Sequence, residues 1–170
     1  VRSFMGYMMA HPGKKLTFMG TEFAQFIEWK YDSGLDWLLL GYEKHKKTQD
    51  YFRELNKIYK KYPAFWEIDY SWEGFSWCVS DDNDNSVIAF RRIDKKGDEI
   101  ICVCNFTPVS RENYCFGVEK DGYYEVILNS DDERFGGKGG GTKTKVSSKK
   151  TPMHGFENSI SVDIPGFSCI

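Results

Sequence analysis

The hydrophobic period of this chain changes from helical to strand-like near Pro63, and that change limits its fold more than any single motif does. Before it, Glu43 to Tyr62 carries Phe52, Leu55, Tyr59 and Tyr62 as one stripe, with Ile58 beside it and Lys, Glu and Gln on the other face. This spacing predicts an amphipathic helix that needs a wall to pack against, and Pro63 closes it. Beyond it the apolar residues fall into short runs. Phe75, Trp77 and Val79 alternate with Ser76, Cys78 and Ser80, and Ser86–Arg92, Glu99–Asn105, Tyr114–Val118, Tyr123–Leu128 and Ser159–Ile164 also have strand length. Phe167 to Ile170 ends the chain as a last short run. Asp94-Lys95-Lys96-Gly97 is a turn, and Asp121-Gly122 signals a hairpin joining Tyr114–Val118 to Tyr123–Leu128. Regular short strands between polar turns predict a mainly β fold, an antiparallel β-sandwich.

Upstream of the helix the pattern is mixed. Val1 to His11 places Phe4, Met5, Met8 and Met9 at helical spacing and stops at Pro12-Gly13. Lys14 to Met19 is a short apolar run of strand length. Thr21 to Leu40 has no period; its rings and acids read as a long structured loop. One other segment is of low complexity: Gly136 to Lys150 holds only Gly, Lys, Thr and Ser apart from Val146, with five lysines. A basic Gly-rich run can bind phosphate, but GxxxxGK[ST] and its strand-to-helix setting are missing, so it reads as a mobile solvated loop.

Charge and cysteine usage narrow the function classes. With 23 Lys+Arg against 25 Asp+Glu the net charge is −2, so a general nucleic-acid surface is not expected. No apolar run approaches the roughly 20 residues of a membrane span. The chain opens on Val1 inside an apolar stretch, without a signal-peptide pattern, and reads as a fragment of a longer protein. The five cysteines, Cys78, Cys102, Cys104, Cys115 and Cys169, are odd in number, irregularly spaced and without a CxxC pair. They make a poor disulfide framework and suggest no zinc site; four of the five lie in strand-like runs, where Cys serves as a small buried hydrophobe, and the set reads as that of a reducing, cytoplasmic compartment. His11, His45 and His154 are too scattered for a metal site, and neither GxSxG nor a Cys–His pair is present.

Chemistry, if any, points to the loop after Lys14–Met19. Glu22, Glu28, Asp32 and Asp36 cluster there among Phe23, Phe26, Trp29, Tyr31 and Trp37. Flat rings beside acids suit carbohydrate, because rings stack on the apolar face of a pyranose and carboxylates accept its hydroxyls. The same rings would equally serve as a plug between two domains, and acids in a polar loop are usually just solvated.

Read as a string, Gly6-Tyr7-Met8-Met9-Ala10-His11-Pro12-Gly13-Lys14-Lys15-Leu16-Thr17-Phe18-Met19-Gly20-Thr21-Glu22-Phe23 resembles the 1,4-α-glucan (glycogen) branching enzymes of the α-amylase superfamily. The resemblance continues through Glu28-Trp29, Leu35-Asp36-Trp37, Gly74-Phe75-Ser76-Trp77, Asn85-Ser86-Val87, Asn105–Val109, Glu125–Asp131 and Gly136-Gly137, in order along nearly the whole chain. It departs at Ala24, where a Gly is common, and in the lysine-rich loop. The resemblance implies that residues 1–68 are the tail of a catalytic (β/α)8 barrel: a helix, strand 8 at Lys14–Met19, a long loop and the last barrel helix. Residues 69–170 would be the all-β C-terminal domain. The family's nucleophile Asp, acid/base Glu and third Asp stand near strands 4, 5 and 7, upstream of Val1, so no catalytic residue is expected here and the isolated chain should be inactive. Glu22, Trp29, Leu35, Asp36 and Trp37 would contact glucan at the rim of the active-site face. No metal or organic cofactor is implied. The partners would be an α-glucan (glycogen or amylose) and the missing N-terminal part of the barrel, with self-association of the isolated chain through Val1–Leu40. A stand-alone carbohydrate-binding module, and the tail of a related amylase or debranching enzyme, are the competing readings.

Overall fold

The computed structural model describes residues 1–170. Helix α1 (Arg2–Ala10) and the long helix α2 (Glu43–Lys61) precede eight strands: β1 (Phe75–Asp82), β2 (Val87–Ile93), β3 (Glu99–Asn105), β4 (Arg111–Val118), β5 (Tyr123–Tyr124), β6 (Val146–Ser147), β7 (Asn158–Ile164) and β8 (Ser168–Cys169). The first three form an antiparallel meander, and β8 adds to the free edge of β3, giving the order β1-β2-β3-β8. Strands β4 and β7 pair antiparallel as a second sheet, and β5 with β6 as a small third one.

Strand alternation explains how these pieces pack, because successive side chains point to opposite faces. On β2 and β3, Val87, Ala89 and Val103 face Phe116, Val118, Ile160, Val162 and Ile164 of the second sheet. Phe90, Cys102 and Cys104 face the other way, against Ala10, Ile58 and Phe65. The larger sheet is therefore buried on both sides, by a sheet on one and by helices on the other. A bulge between Trp77 and Val79 puts the consecutive residues Cys78 and Val79 into the same core. Each large apolar side chain buried this way contributes about 1.5–3 kcal/mol. The helices share a third cluster, Met5 and Met9 with Tyr51, Phe52 and Leu55, capped by Phe135. Tyr51 thus joins the predicted stripe of α2.

A polar pin crosses this junction. Arg92, fully buried, donates to the carbonyls of Ala10 (2.8 Å), Phe65 (3.1 Å) and Gly74 (3.3 Å) and to the Asp69 carboxylate (2.8 Å). The Asp69 carboxylate also accepts the Gly13 N–H at 3.1 Å. Charge and acceptors are matched, which a buried guanidinium requires.

Three expectations need correction. Lys14–Met19 is not a hydrogen-bonded strand: Lys14 to Thr17 make no backbone–backbone bond, and Lys15 lies with its ammonium over the Tyr59 ring of α2. An apolar run of strand length favours extended backbone, but a ladder needs a neighbour. A barrel tail is accordingly not visible as such; the observed elements are two helices joined by irregular chain. The Asp121-Gly122 hairpin also fails. β4 pairs with β7, and only Tyr123 and Tyr124 form a strand, against Val146 and Ser147. Finally, the Gly136–Lys150 loop is tied down rather than free. Asp131 accepts the N–H groups of Lys138 and Gly140 on its carboxylate, both at 3.1 Å, and that of Gly139 on its carbonyl at 2.7 Å. Thr142 N–H reaches Asp163 O at 3.0 Å. Gly137 comes so close to Asp131 that a Cβ would lie 2.0 Å from its carbonyl oxygen, which is why the run is glycine-rich.

Candidate functional site

The aromatic loop is built around one buried ring. Phe23, completely buried, ends a 3-10 turn (Thr21–Phe23) set between two left-handed residues, Gly20 (φ 80°) and Ala24 (φ 57°). Helix α2 packs on this turn, and His45 Nδ1 lies 2.8 Å from the Phe23 carbonyl oxygen. Gln25 ties the far end back: its Oε1 accepts the Asp36 N–H at 2.8 Å and its Nε2 donates to Ile27 O at 2.7 Å. Trp37 then lies on Phe23, with ring centroids 5.3 Å apart.

The five sequence-predicted residues divide by this geometry. Glu22, Leu35, Asp36 and Trp37 are brought to the Phe23–Gln25 end of the loop. Glu22, Leu35 and Asp36 are half-buried there, and Trp37 keeps 57% of its surface in solvent. Trp29 belongs to a different ring pair, 5.2 Å from Phe18, and is 73% exposed with a left-handed backbone (φ 54°). Around them Leu16, Phe26, Tyr31, Leu38 and Tyr42 are also exposed. Exposed rings next to carboxylates can stack on a flat ligand and accept its hydroxyls; nothing here pairs a nucleophile with a base. The histidines sit on backbone groups: His11 Nδ1 lies 3.2 Å from Pro12 O, and His154 Nδ1 accepts the Gly117 N–H at 3.3 Å.

Two groups were missed in the sequence. Lys15, beside Asp69 and Arg92, has its ammonium pushed down to about 8 by burial, against the pull of Asp69 and with the repulsion of Arg92. Cys102, Cys104 and Cys169 meet as one buried cluster. The i,i+2 spacing of the first two on a strand is a signal that they share a face; the third arrives only through the β3–β8 register.

Two packed antiparallel sheets with a helical lead-in against the larger one define a small mainly β domain. The chain belongs to the family described as alpha amylase, C-terminal all-beta domain, whose model matches residues 77–170. Along its whole length it is 48% identical to the 1,4-alpha-glucan branching enzyme GlgB of Halothermothrix orenii, covering 27% of that protein. It is 47% identical to the GlgB of Aquifex aeolicus, again over 27% of the relative, and 44% identical to that of Photobacterium profundum, over 24%. The chain thus spans about a quarter of the length of the curated relatives it matches, and the resemblance carried by the His11–Phe23 string is borne out.

Proposed function

We propose that this chain is the C-terminal part of a 1,4-α-glucan branching enzyme, acting in the cytoplasm. The parent cleaves an α-1,4 linkage and transfers the freed segment to a 6-hydroxyl, through a covalent glycosyl-enzyme with one carboxylate as nucleophile and another as proton shuttle. The observation that carries this reading is the 44–48% identity that extends over the whole chain, including the helical lead-in and the aromatic loop that the all-β family model leaves out. A stand-alone binding module would not need residues 1–68. In this reading residues 1–68 close the catalytic barrel, and residues 69–170 brace it. The exposed side chains of Leu16, Phe18 and Leu38 then meet the remainder of the barrel; in the isolated chain they drive self-association, visible by light scattering. Glu22, Trp29, Leu35, Asp36 and Trp37 line the glucan rim, with Trp37 stacking on a glucose ring and Asp36 accepting a hydroxyl hydrogen.

The test has two arms. The full-length protein should lower the iodine colour of amylose and create α-1,6 branch points, while the isolated chain should do neither; branching by the isolated chain would refute the assignment. In the full-length protein, Trp37→Ala should weaken binding of a long maltooligosaccharide by about 1–3 kcal/mol, the scale of ring stacking on a flat ligand, with little change in melting temperature. A large drop in melting temperature with unchanged affinity would end the binding role.

A further inference from the structure

We propose that Cys102, Cys104 and Cys169 bind one soft d10 metal ion, Zn2+ or Cu+, between the helix-facing side of the larger sheet and α1. The backbone assembles the site. Cys102 and Cys104, two apart on β3, share a face, and the antiparallel register sets Cys169 of β8 opposite Cys104. Cys102 Sγ lies 3.8 Å from Cys104 Sγ and 3.4 Å from Cys169 Sγ, and all three sulfurs lie within 4.8 Å of one another. Metal–thiolate bonds of about 2.3 Å place the sulfurs of a trigonal or tetrahedral site about 3.7–4.0 Å apart. One ion can therefore bridge the three after small side-chain rotations.

A second feature points to a ligand independently. Tyr51 is 1% exposed, and its hydroxyl has no hydrogen-bond partner. It is turned toward the same space: a single point, where a Cβ on Gly6 would stand, lies 2.6 Å from Cys169 Sγ and 2.7 Å from Tyr51 Oη. A buried hydroxyl left unpaired is costly. A metal-bound thiolate is a strong acceptor and would give that hydroxyl its partner, as outer-sphere donors do in other sites. Gly6, lacking a side chain, keeps the space open.

The donor set selects the ion. Three sulfurs without a carboxylate or imidazole in the cluster suit Zn2+ or Cu+ and not a hard, oxygen-seeking cation. An approach exists as well, since Cys102 and Cys169 line a mostly apolar cavity of about 600 Å³ that runs along β3 to Tyr123–Leu128. On binding, each S–H proton passes to solvent as its sulfur–metal bond forms, and nothing is oxidised or reduced. The ion would fasten the last residues of the chain, Ser168 to Ile170, whose pairing with β3 spans only Val103 to Asn105.

The test titrates the 170-residue chain, kept reduced and free of oxygen, with Cd2+ as an ultraviolet-absorbing stand-in for Zn2+. Zn2+ competition follows, and a separate arm supplies Cu+ from a Cu+-selective colorimetric chelator. One equivalent per chain, a thiolate-to-metal charge-transfer band and a raised melting temperature are expected; the ion held more tightly identifies the occupant. The band should persist in Cys78→Ser/Cys115→Ser and vanish in Cys102→Ser/Cys169→Ser, while Tyr51→Phe should bind about 10-fold more weakly. Absence of the band in the wild type, its survival without Cys102 and Cys169, or its loss with Cys78 and Cys115 alone would overturn the site and return these thiols to simple core packing. Should Cys102→Ser/Cys169→Ser not fold, the wild type and Cys78→Ser/Cys115→Ser decide between the two.

Discussion

Two irregular stretches invert what their compositions suggest. Leu16 to Tyr42 is rich in large rings and aliphatic side chains, yet most of them face solvent. Gly136 to Lys150 is small, polar and basic, yet Asp131, Asp163 and the Tyr123–Tyr124 strand hold it in place. Composition states what a segment can bury; whether it does depends on a surface to bury it against. The first stretch has one internal anchor, Phe23, and a wide apolar face beyond it. The second has a carboxylate that collects its backbone donors, which works for glycines because they crowd close.

The contrast breaks hardest at Phe23. Although it sits in the exposed stretch, Phe23→Ala should lose about 3–5 kcal/mol in a urea unfolding titration, as for any fully buried ring; a loss under about 1 kcal/mol would show that the loop has no anchor. Next comes Asp131→Ala, expected to cost about 2–3 kcal/mol by stranding the Lys138 and Gly140 donors, with faster amide exchange along 136–142. Unchanged exchange there would mean that the loop is held by its own turns. A smaller effect of opposite sign belongs to Ala24→Gly. Its φ of 57° strains any residue with a Cβ, so the variant should gain about 0.5 kcal/mol, the relief of left-handed strain less the entropy cost of glycine; a lower unfolding midpoint would contradict it.

The smallest effect is a pH dependence at Lys15. Its folded pKa, about 8, lies below the unfolded value, so between about pH 8 and the ordinary lysine range the unfolded chain binds more protons. Stability from this group therefore rises with pH across that window. Lys15→Met removes the cost of burying the charge: it should be the more stable protein near neutral pH, with the gap to wild type narrowing toward about pH 9.5. A gap constant with pH would mean that Lys15 stays solvated.

What could be read beforehand follows from range. The β1–β3 meander and both helices declare themselves by period, a property of consecutive residues. Asp121-Gly122 is an equally local signal, but it could not show that β7, forty residues on, offers β4 a longer partner. Lys14–Met19 has strand composition and no ladder, because hydrogen bonds need a second chain segment alongside, and none of this chain pairs with it. The loop's ring-and-acid character was legible, as was the oddity of Ala24; the stacking of Trp37 on Phe23 was not, since it depends on Gln25 drawing the loop's ends together. Likewise Cys169 joins Cys102 and Cys104 only through strand register.

Arg92 has a consequence for severability. Two of its four acceptors, the carbonyls of Ala10 and Phe65, come from residues before Asp69, and two, the Asp69 carboxylate and Gly74 O, from Asp69 onward. Cutting the chain just before Asp69 would leave the β portion with its carboxylate but with half of the guanidinium's partners gone and its helix-facing side bare. The modules that a reader separates along the sequence are joined through one cation, and neither can be inherited, swapped or lost without the other answering for it.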